Sequence, residues 1–454
     1  MQKIKKIFAL FLISIFFIQI PCFAFWGKKF CPCPINTKEK IEYINPCWWE
    51  NFNDPILTEY IIKAVENNHN ARQASWKVEE YRQAVKYQFG SELPSLSVGG
   101  NYILNHLPDS FVSTKNNIFA VPFQVNYEAD IFLKNRDKTK SSKKTYESSK
   151  YEEKAIYIVL ASDVATAYFN LVKSDKQICL QEQIVEIRRE KLRREQQKFD
   201  RGTVSATSLN NAKKEVENAK NSLDDFLKTR EKTLTQLAVL IGESPENTNF
   251  KRVSFDNLEY KCPVPDSISS DVVFSRPDIM ATEAKLQKAK IDIRVARKEF
   301  LPKINLTGIY AFSNVGSLGF GTWGSTIAAL VAGASLDLFT GGRKIANLKM
   351  SKSRYEQMFE AYRQNDLTAL KEVNDSLFVL KKDSEIDKNT LKNLNIQQDT
   401  YKRSLERFNR GTISYPQLLS EHEALILSQQ NRVNSKTNRL VDYLTLYKAV
   451  GGNL

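Results

Sequence analysis

The sequence is sparing with the residues that break helices. Its 454 residues include 17 glycines and 14 prolines, and four long stretches, 123–201, 203–241, 343–410 and 417–450, hold neither. An interior glycine costs a helix about 1 kcal/mol and a proline about 3 kcal/mol, so stretches this long predict continuous helices. Histidine is scarcer: His69, His106 and His422 are far apart and make no metal-ligand spacing. No Gly-x-Ser-x-Gly elbow or Walker loop occurs, so nothing calls for an enzyme, a cofactor or a bound metal. There is one long apolar run, residues 7–20, broken only by Ser14 and Gln19. It is too short for the roughly 20 residues of a transmembrane helix. With Lys3, Lys5 and Lys6 before it and Cys22-Phe23-Ala24 after it, it reads as an export signal over residues 1–24. Lipid attachment at Cys22 is the alternative to cleavage after Ala24, although Gln19-Ile20-Pro21 makes a poor lipobox.

Cleavage after Ala24 leaves five cysteines, an odd number. Cys31-Pro32-Cys33 lacks a second ligand pair, which argues against zinc. Cys47 and Cys262 lie in irregular segments and are candidates to pair, while Cys179 falls inside a helix and reads as a buried small hydrophobe. The formal net charge is +14, yet lysine is mixed with Glu and Asp along the helical runs. That is the pattern of a solvated helix surface, and no nucleic-acid partner is expected.

What the chain does have, it has twice. Phe199-Asp200-Arg201-Gly202-Thr203-Val204-Ser205 returns as Phe408-Asn409-Arg410-Gly411-Thr412-Ile413-Ser414, offset 209 (408 − 199). Leu93-Pro94-Ser95-Leu96-Ser97 returns as Leu301-Pro302-Lys303-Ile304-Asn305, and Leu237 to Gly242 as Leu446 to Gly451. Order and spacing held over several landmarks mark a duplication. Each Arg-Gly-Thr stretch joins two helical runs, so its glycine is the expected left-handed corner between them.

Within each repeat the period changes from helical to two. Val121, Phe123, Val125, Tyr127, Ala129 and Ile131 alternate with Gln124, Asn126, Glu128 and Asp130; Ile304, Leu306, Gly308, Tyr310 and Phe312 alternate with Asn305, Thr307 and Ser313. These are strands apolar on one face and polar on the other, with Pro122 expected at an end or a bulge. The predicted plan is mainly α with a small β part. Residues 25–53 form an extended lead-in. A first repeat over 54–250 has two helices, a β-hairpin about 95–132 and a long helix pair about 136–242. A linker over 251–274 leads to a second repeat over 275–454, with one helix, a hairpin about 303–339 and a helix pair about 343–450. Rods of about 60 residues would be roughly 90 Å long and must pack as coiled coils. Four amphipathic strands suit a bilayer but cannot close a barrel of at least about eight. Several chains must contribute strands.

These residues resemble the outer-membrane factor family, the TolC-like and OprM-like exit ducts of Gram-negative bacteria. Ser275-Arg276-Pro277-Asp278-Ile279 with Glu283 and Leu286, residues 300–308, Leu338-Phe339-Thr340-Gly341-Gly342-Arg343 and residues 446–452 carry the likeness, which spans about residues 48–452. The resemblance implies a homotrimer in the outer membrane: a twelve-stranded barrel with four strands per chain, a periplasmic α-helical barrel and an irregular belt between. It implies passive efflux of drugs, metals or other toxic small molecules, received from an inner-membrane pump of RND or ABC type through a periplasmic adaptor. Arg201, Gly202, Thr203, Arg410, Gly411 and Thr412 match the helix tips that meet the adaptor, and equally serve simply to turn and cap the helices. The constriction that closes the entrance matches Gln417 and Ser420, with Glu421 beside them. The family often has aspartates there. Gln417 and Ser420 are uncharged, so closure by helix packing and hydrogen bonds, with weak block by divalent cations, is expected.

Gly319-Phe320-Gly321-Thr322-Trp323-Gly324 matches a dinucleotide fingerprint formally, but no parallel strand precedes it and no helix follows, so a hairpin loop explains it. Two other functions fit parts of the pattern. One is the exit duct of type I protein secretion; the other is a soluble periplasmic coiled-coil scaffold, which would have no use for four strands with a lipid-compatible face.

Overall fold

The computed structural model describes residues 37–45, 47–104, 117–246, 249–258, 264–315 and 325–452. The export signal, Cys22, Cys31, Cys33, Cys262, His106 and the 319–324 glycine motif lie outside the described residues. Two short helices, α1 (Thr37–Tyr43) and α2 (Cys47–Glu50), stand where the sequence reads as an extended lead-in. Their apolar side chains explain the difference: Trp48 stacks on Tyr447 with ring centroids 4.1 Å apart, and the Tyr447 hydroxyl donates to the Ile44 carbonyl at 2.5 Å. The segment is held by the end of the chain, a long-range contact that local periodicity cannot reveal.

The first repeat continues with α3 (Pro55–Asn67) and α4 (His69–Gly90). Asp54 caps α3, its Oδ1 accepting from the amides of Ile56 at 2.9 Å and Leu57 at 3.2 Å, while its Oδ2 accepts from the Tyr168 hydroxyl. Strands β1 (Ser95–Val98), β2 (Asn101–Leu104) and β3 (Asn117–Ala129) follow, then the rods α5 (Lys134–Asp200) and α6 (Ala206–Leu240). α7 (Ser270–Phe274) ends the linker, and the second repeat holds α8 (Pro277–Lys298), β4 (Lys303–Val315), β5 (Ser325–Ser335), α9 (Arg343–Asn409) and α10 (Tyr415–Ala449). α5 and α9 are each 67 residues, about 100 Å at 1.5 Å per residue.

The strands make one antiparallel sheet, β1 and β2 end to end along one edge of β3, then β4, then β5. The first arm of the expected hairpin about 95–132 is thus two pieces. Their break at Gly99 and Gly100 lies opposite Pro122, which has no N–H to offer that neighbour, although its carbonyl still accepts from the Gly99 amide at 3.0 Å. The register stacks Leu96, Val125, Gly308 and Leu330 across one face, and Ser95, Asn126 and Thr307 across the other. On the polar face Asn126 Oδ1 accepts from Gln124 Nε2 at 3.0 Å and Thr307 Oγ1 at 3.2 Å. On the apolar face Leu330 is 83% exposed in the single chain.

α5 is the spine. It packs on α3, α4, α6, α8 and α10, whereas α9 packs on α7, α8 and α10. Their sequences reflect this: α5 has 27 buried residues and α9 only seven. α5 has the composition of a membrane span, but 67% of its apolar window is buried against protein, so it is a core helix. α9 instead leaves Leu367, Phe378, Ile386 and Ile396 exposed, an open flank of a single helical layer. Cys179 differs from its expected place: the thiol is exposed on α5, because the buried stripe runs through Gln177, Leu180, Gln181 and Ile184.

At the start of the second repeat, Arg276 joins three elements. Its guanidinium donates to the Ala449 carbonyl at the end of α10 and to Glu372 of α9, each at 2.8 Å, and pairs with Asp278. The Ser-Arg-Pro-Asp motif is therefore a clasp between α8, α9 and α10.

Candidate functional site

Both helix pairs turn through the same corner. Gly202 (φ +72°) and Gly411 (φ +75°) take the left-handed conformation in open space. The Gly202 amide donates to the Phe199 carbonyl at 2.8 Å and the Thr203 amide to Lys198 at 2.9 Å; Gly411 to Phe408 and Thr412 to Arg407 repeat those bonds. This is a Schellman motif, which satisfies carbonyls the helix end would otherwise strand. The threonine adds its side chain, with Oγ1 donating to Lys198 O at 2.8 Å and Arg407 O at 2.9 Å. Arg201, Gly202, Thr203, Arg410, Gly411 and Thr412 are all exposed. Glycine and threonine thus build the turn, while the two arginines make no side-chain bond among the described residues and face solvent.

The two corners sit at one end of the layer. Arg194 lies over the Tyr415 ring, 4.1 Å from its centroid, and a cleft of about 290 Å³ runs between α5, α6 and α10, lined by Lys191, Arg194, Lys198, Ser208, Pro416 and Ser420 among others. Gln417 and Ser420 are exposed on the first turns of α10, with Ser420 Oγ donating to the Pro416 carbonyl at 3.0 Å. Glu421 is half-buried and accepts from Gln397 Nε2 of α9 at 3.4 Å.

A second feature escaped the sequence reading: the seam between the helix pairs, where α5 meets α10. Towards the sheet it is apolar, with Phe169, Leu171, Leu440 and Leu444 buried. Towards the corners it turns polar. Gln177 Nε2 donates to Asn434 Oδ1 at 2.6 Å, and Gln430 Nε2 to Gln181 Oε1 at 3.0 Å. Nearer the corners, Glu423 receives Arg188 Nε at 2.9 Å and Lys191 Nζ at 2.6 Å. Burial pushes the Glu423 carboxyl up, but the bonds from Lys191 and Arg188 outweigh it, and the group lies below the ordinary glutamate value. The partners are more than 230 residues apart (423 − 188 = 235), so no local signal could have joined them.

The comparisons with known proteins follow the same lines. The sequence model described as Outer membrane efflux protein matches residues 61–243 and 269–452, one stretch per repeat. The cation efflux system protein CusC of Escherichia coli O157:H7 is 26% identical over 416 residues, 90% of this chain and 89% of its own. The toluene efflux pump outer membrane protein TtgC of Pseudomonas putida is 26% identical over 420 residues, 89% of this chain and 84% of its own. Among solved structures, the Campylobacter jejuni CmeC outer membrane channel superposes with a TM-score of 0.80 at 24% identity, covering 94% of this chain and 90% of that one. With the family's pattern matched across both repeats and a mainly helical fold carrying one small sheet, the chain belongs to the outer membrane efflux protein family.

Proposed function

We propose that three copies of this chain close a twelve-stranded barrel in the outer membrane, four strands each, above a shared α-helical cylinder in the periplasm. The observation that carries this reading is the sheet: four strand positions wide, apolar on one face, with β1–β2 and β5 as edges unpaired among the described residues. Hydrocarbon does not tolerate open edges, and bacterial barrels have at least about eight strands. The exposed apolar residues of α9 make the same demand on the helical layer.

The assembled duct conducts small molecules passively, as an exit for drugs, metals or other toxic compounds. Cations and toluene, the cargoes in the relatives' names, both fall in that class. An inner-membrane pump of RND or ABC type hands them over through a periplasmic adaptor that docks on Arg201, Gly202, Thr203, Arg410, Gly411 and Thr412. Arg201→Glu with Arg410→Glu reverses the exposed charge without touching the turn. It is expected to leave assembly intact and to abolish pump-dependent resistance in cells that rely on this duct. Unchanged resistance would remove the corners from the adaptor contact.

Gln417, Ser420 and Glu421 form the entrance, and the polar seam holds it closed. An interface made of exchangeable hydrogen bonds can part near the corners while its apolar end stays packed. Glu423→Gln removes charge-assisted bonds worth about 1.5 kcal/mol, so the open fraction should rise roughly tenfold, read as conductance in planar bilayers. Conductance equal to the parent's would contradict this. Because the Glu423 carboxyl lies below its ordinary value, its contribution is present above the unfolded pKa and lost as pH falls through the folded one. Acid should therefore mimic the substitution.

A further inference from the structure

We propose that Asp383 of α9 and Asp442 of α10 share one proton across the second helix pair, so that the packing of α9 on α10 responds to ambient pH. Asp442 Oδ2 is sealed from solvent and receives no hydrogen bond among the described residues. A carboxylate oxygen in that position is unfavourable. The side chain that faces it across the helix pair is another carboxyl, Asp383, and one proton held between the two removes the deficit. The surroundings offer no substitute. Glu372 and Asp375 of α9 line the same cleft of about 390 Å³, with Lys448 of α10. Lys448 lies 3.8 Å from Asp163 of α5, and Arg439 pairs with Asp387 at 3.0 Å. Both of these cations are thus already engaged by other acids.

Burial first, and the Asp383 carboxyl second, push Asp442 up to about 7 from the ordinary 3.8. The packed pair therefore holds a proton that separated helices release between those values. Linkage then fixes the sign: the packing gains from this proton most strongly in acid and loses that gain as pH rises through about 7. Above that, two like charges face each other across the helix pair. The response is opposite to that of Glu423, whose bonds weaken in acid. α9 and α10 would loosen from each other on the alkaline side, and the seam between α5 and α10 on the acid side.

The test is amide hydrogen exchange on the full-length, detergent-extracted protein. Peptides of α9 and α10 around Asp383 and Asp442 are compared with α5 and α6 peptides in the same sample, which cancels the chemical pH dependence of exchange. The ratio is expected to rise about fourfold between pH 6.5 and 8.5 in the parent. It should stay flat in both Asp383→Asn and Asp442→Asn, and the double variant should behave like either single one. A flat ratio in the parent, or a pH-dependent ratio that survives either substitution, would overturn the proposal.

Discussion

Gly242→Ala is expected to destabilise the chain by about 3 kcal/mol, the sum of a left-handed backbone penalty and an overpacked contact. Gly242 has φ +76°, and a Cβ there would lie 2.5 Å from the Asn67 carbonyl oxygen and 2.8 Å from its carbon. Both are backbone atoms at the end of α3, held by the Asn68 cap, whose Nδ2 donates to the Leu240 carbonyl at 2.9 Å. Neither side can yield cheaply. The duplication repeats the arrangement with different partners: Gly451 has φ +67°, and its Cβ would meet Pro277 Cδ at 2.9 Å and Arg276 Cα at 3.1 Å. Denaturant titration of the purified protein would measure either loss. Stability within about 0.5 kcal/mol of the parent, the usual range for a neutral surface change, would mean that these helix ends have more room than described.

Asp387→Ala is the second change with a large expected cost, about 3 kcal/mol. The Asp387 side chain is 4% exposed and serves Arg432 and Arg439 together, with Ser435 Oγ donating to it at 3.2 Å. Removing it leaves two guanidinium groups facing each other. The cost sits at the lower end for a broken buried pair because Arg432 and Arg439 keep 19% and 23% of their side-chain surface in water. Replacing Asp387, Arg432 and Arg439 together by apolar residues should recover much of the loss, since the desolvation of all three charges goes with them. A denaturation midpoint unmoved by Asp387→Ala would show that the cluster contributes nothing net.

How far the sequence could be read depended on whether the cause of a feature was local. Helix corners are local: a glycine with positive φ and a threonine over the last carbonyl act within seven residues, and both copies could be found by eye. The strand faces were also local, because their period of two survives in Val121 to Ala129 and Ile304 to Phe312. The rods could be followed because α9, Arg343–Asn409, occupies a stretch with no helix breaker. Pairing across the fold could not be read. Glu423 looks like any solvated helix acid until Arg188 is brought beside it, and Asp387 gives no sign that it is buried. Cys179 misled for the same reason: membership of a helix says nothing about which face is covered. Trp48 is likewise held from far away, since its ring partner Tyr447 lies at the other end of the chain.

The entrance residues act only in company with neighbouring copies. Gln417 and Ser420 are exposed on their own protomer, and their proposed role at a constriction depends on copies around the same axis. The open flank of α9 and the sheet edges share that dependence. The duct therefore stands or falls with assembly.

The most direct test is the native mass of the protein extracted by detergent from the outer-membrane fraction. The account predicts three copies of the 52.1 kDa chain, less any cleaved export signal, in one particle that conducts ions in a planar bilayer. A soluble monomer or dimer recovered from the periplasm would contradict it, because the sheet edges would then never meet and no barrel would form.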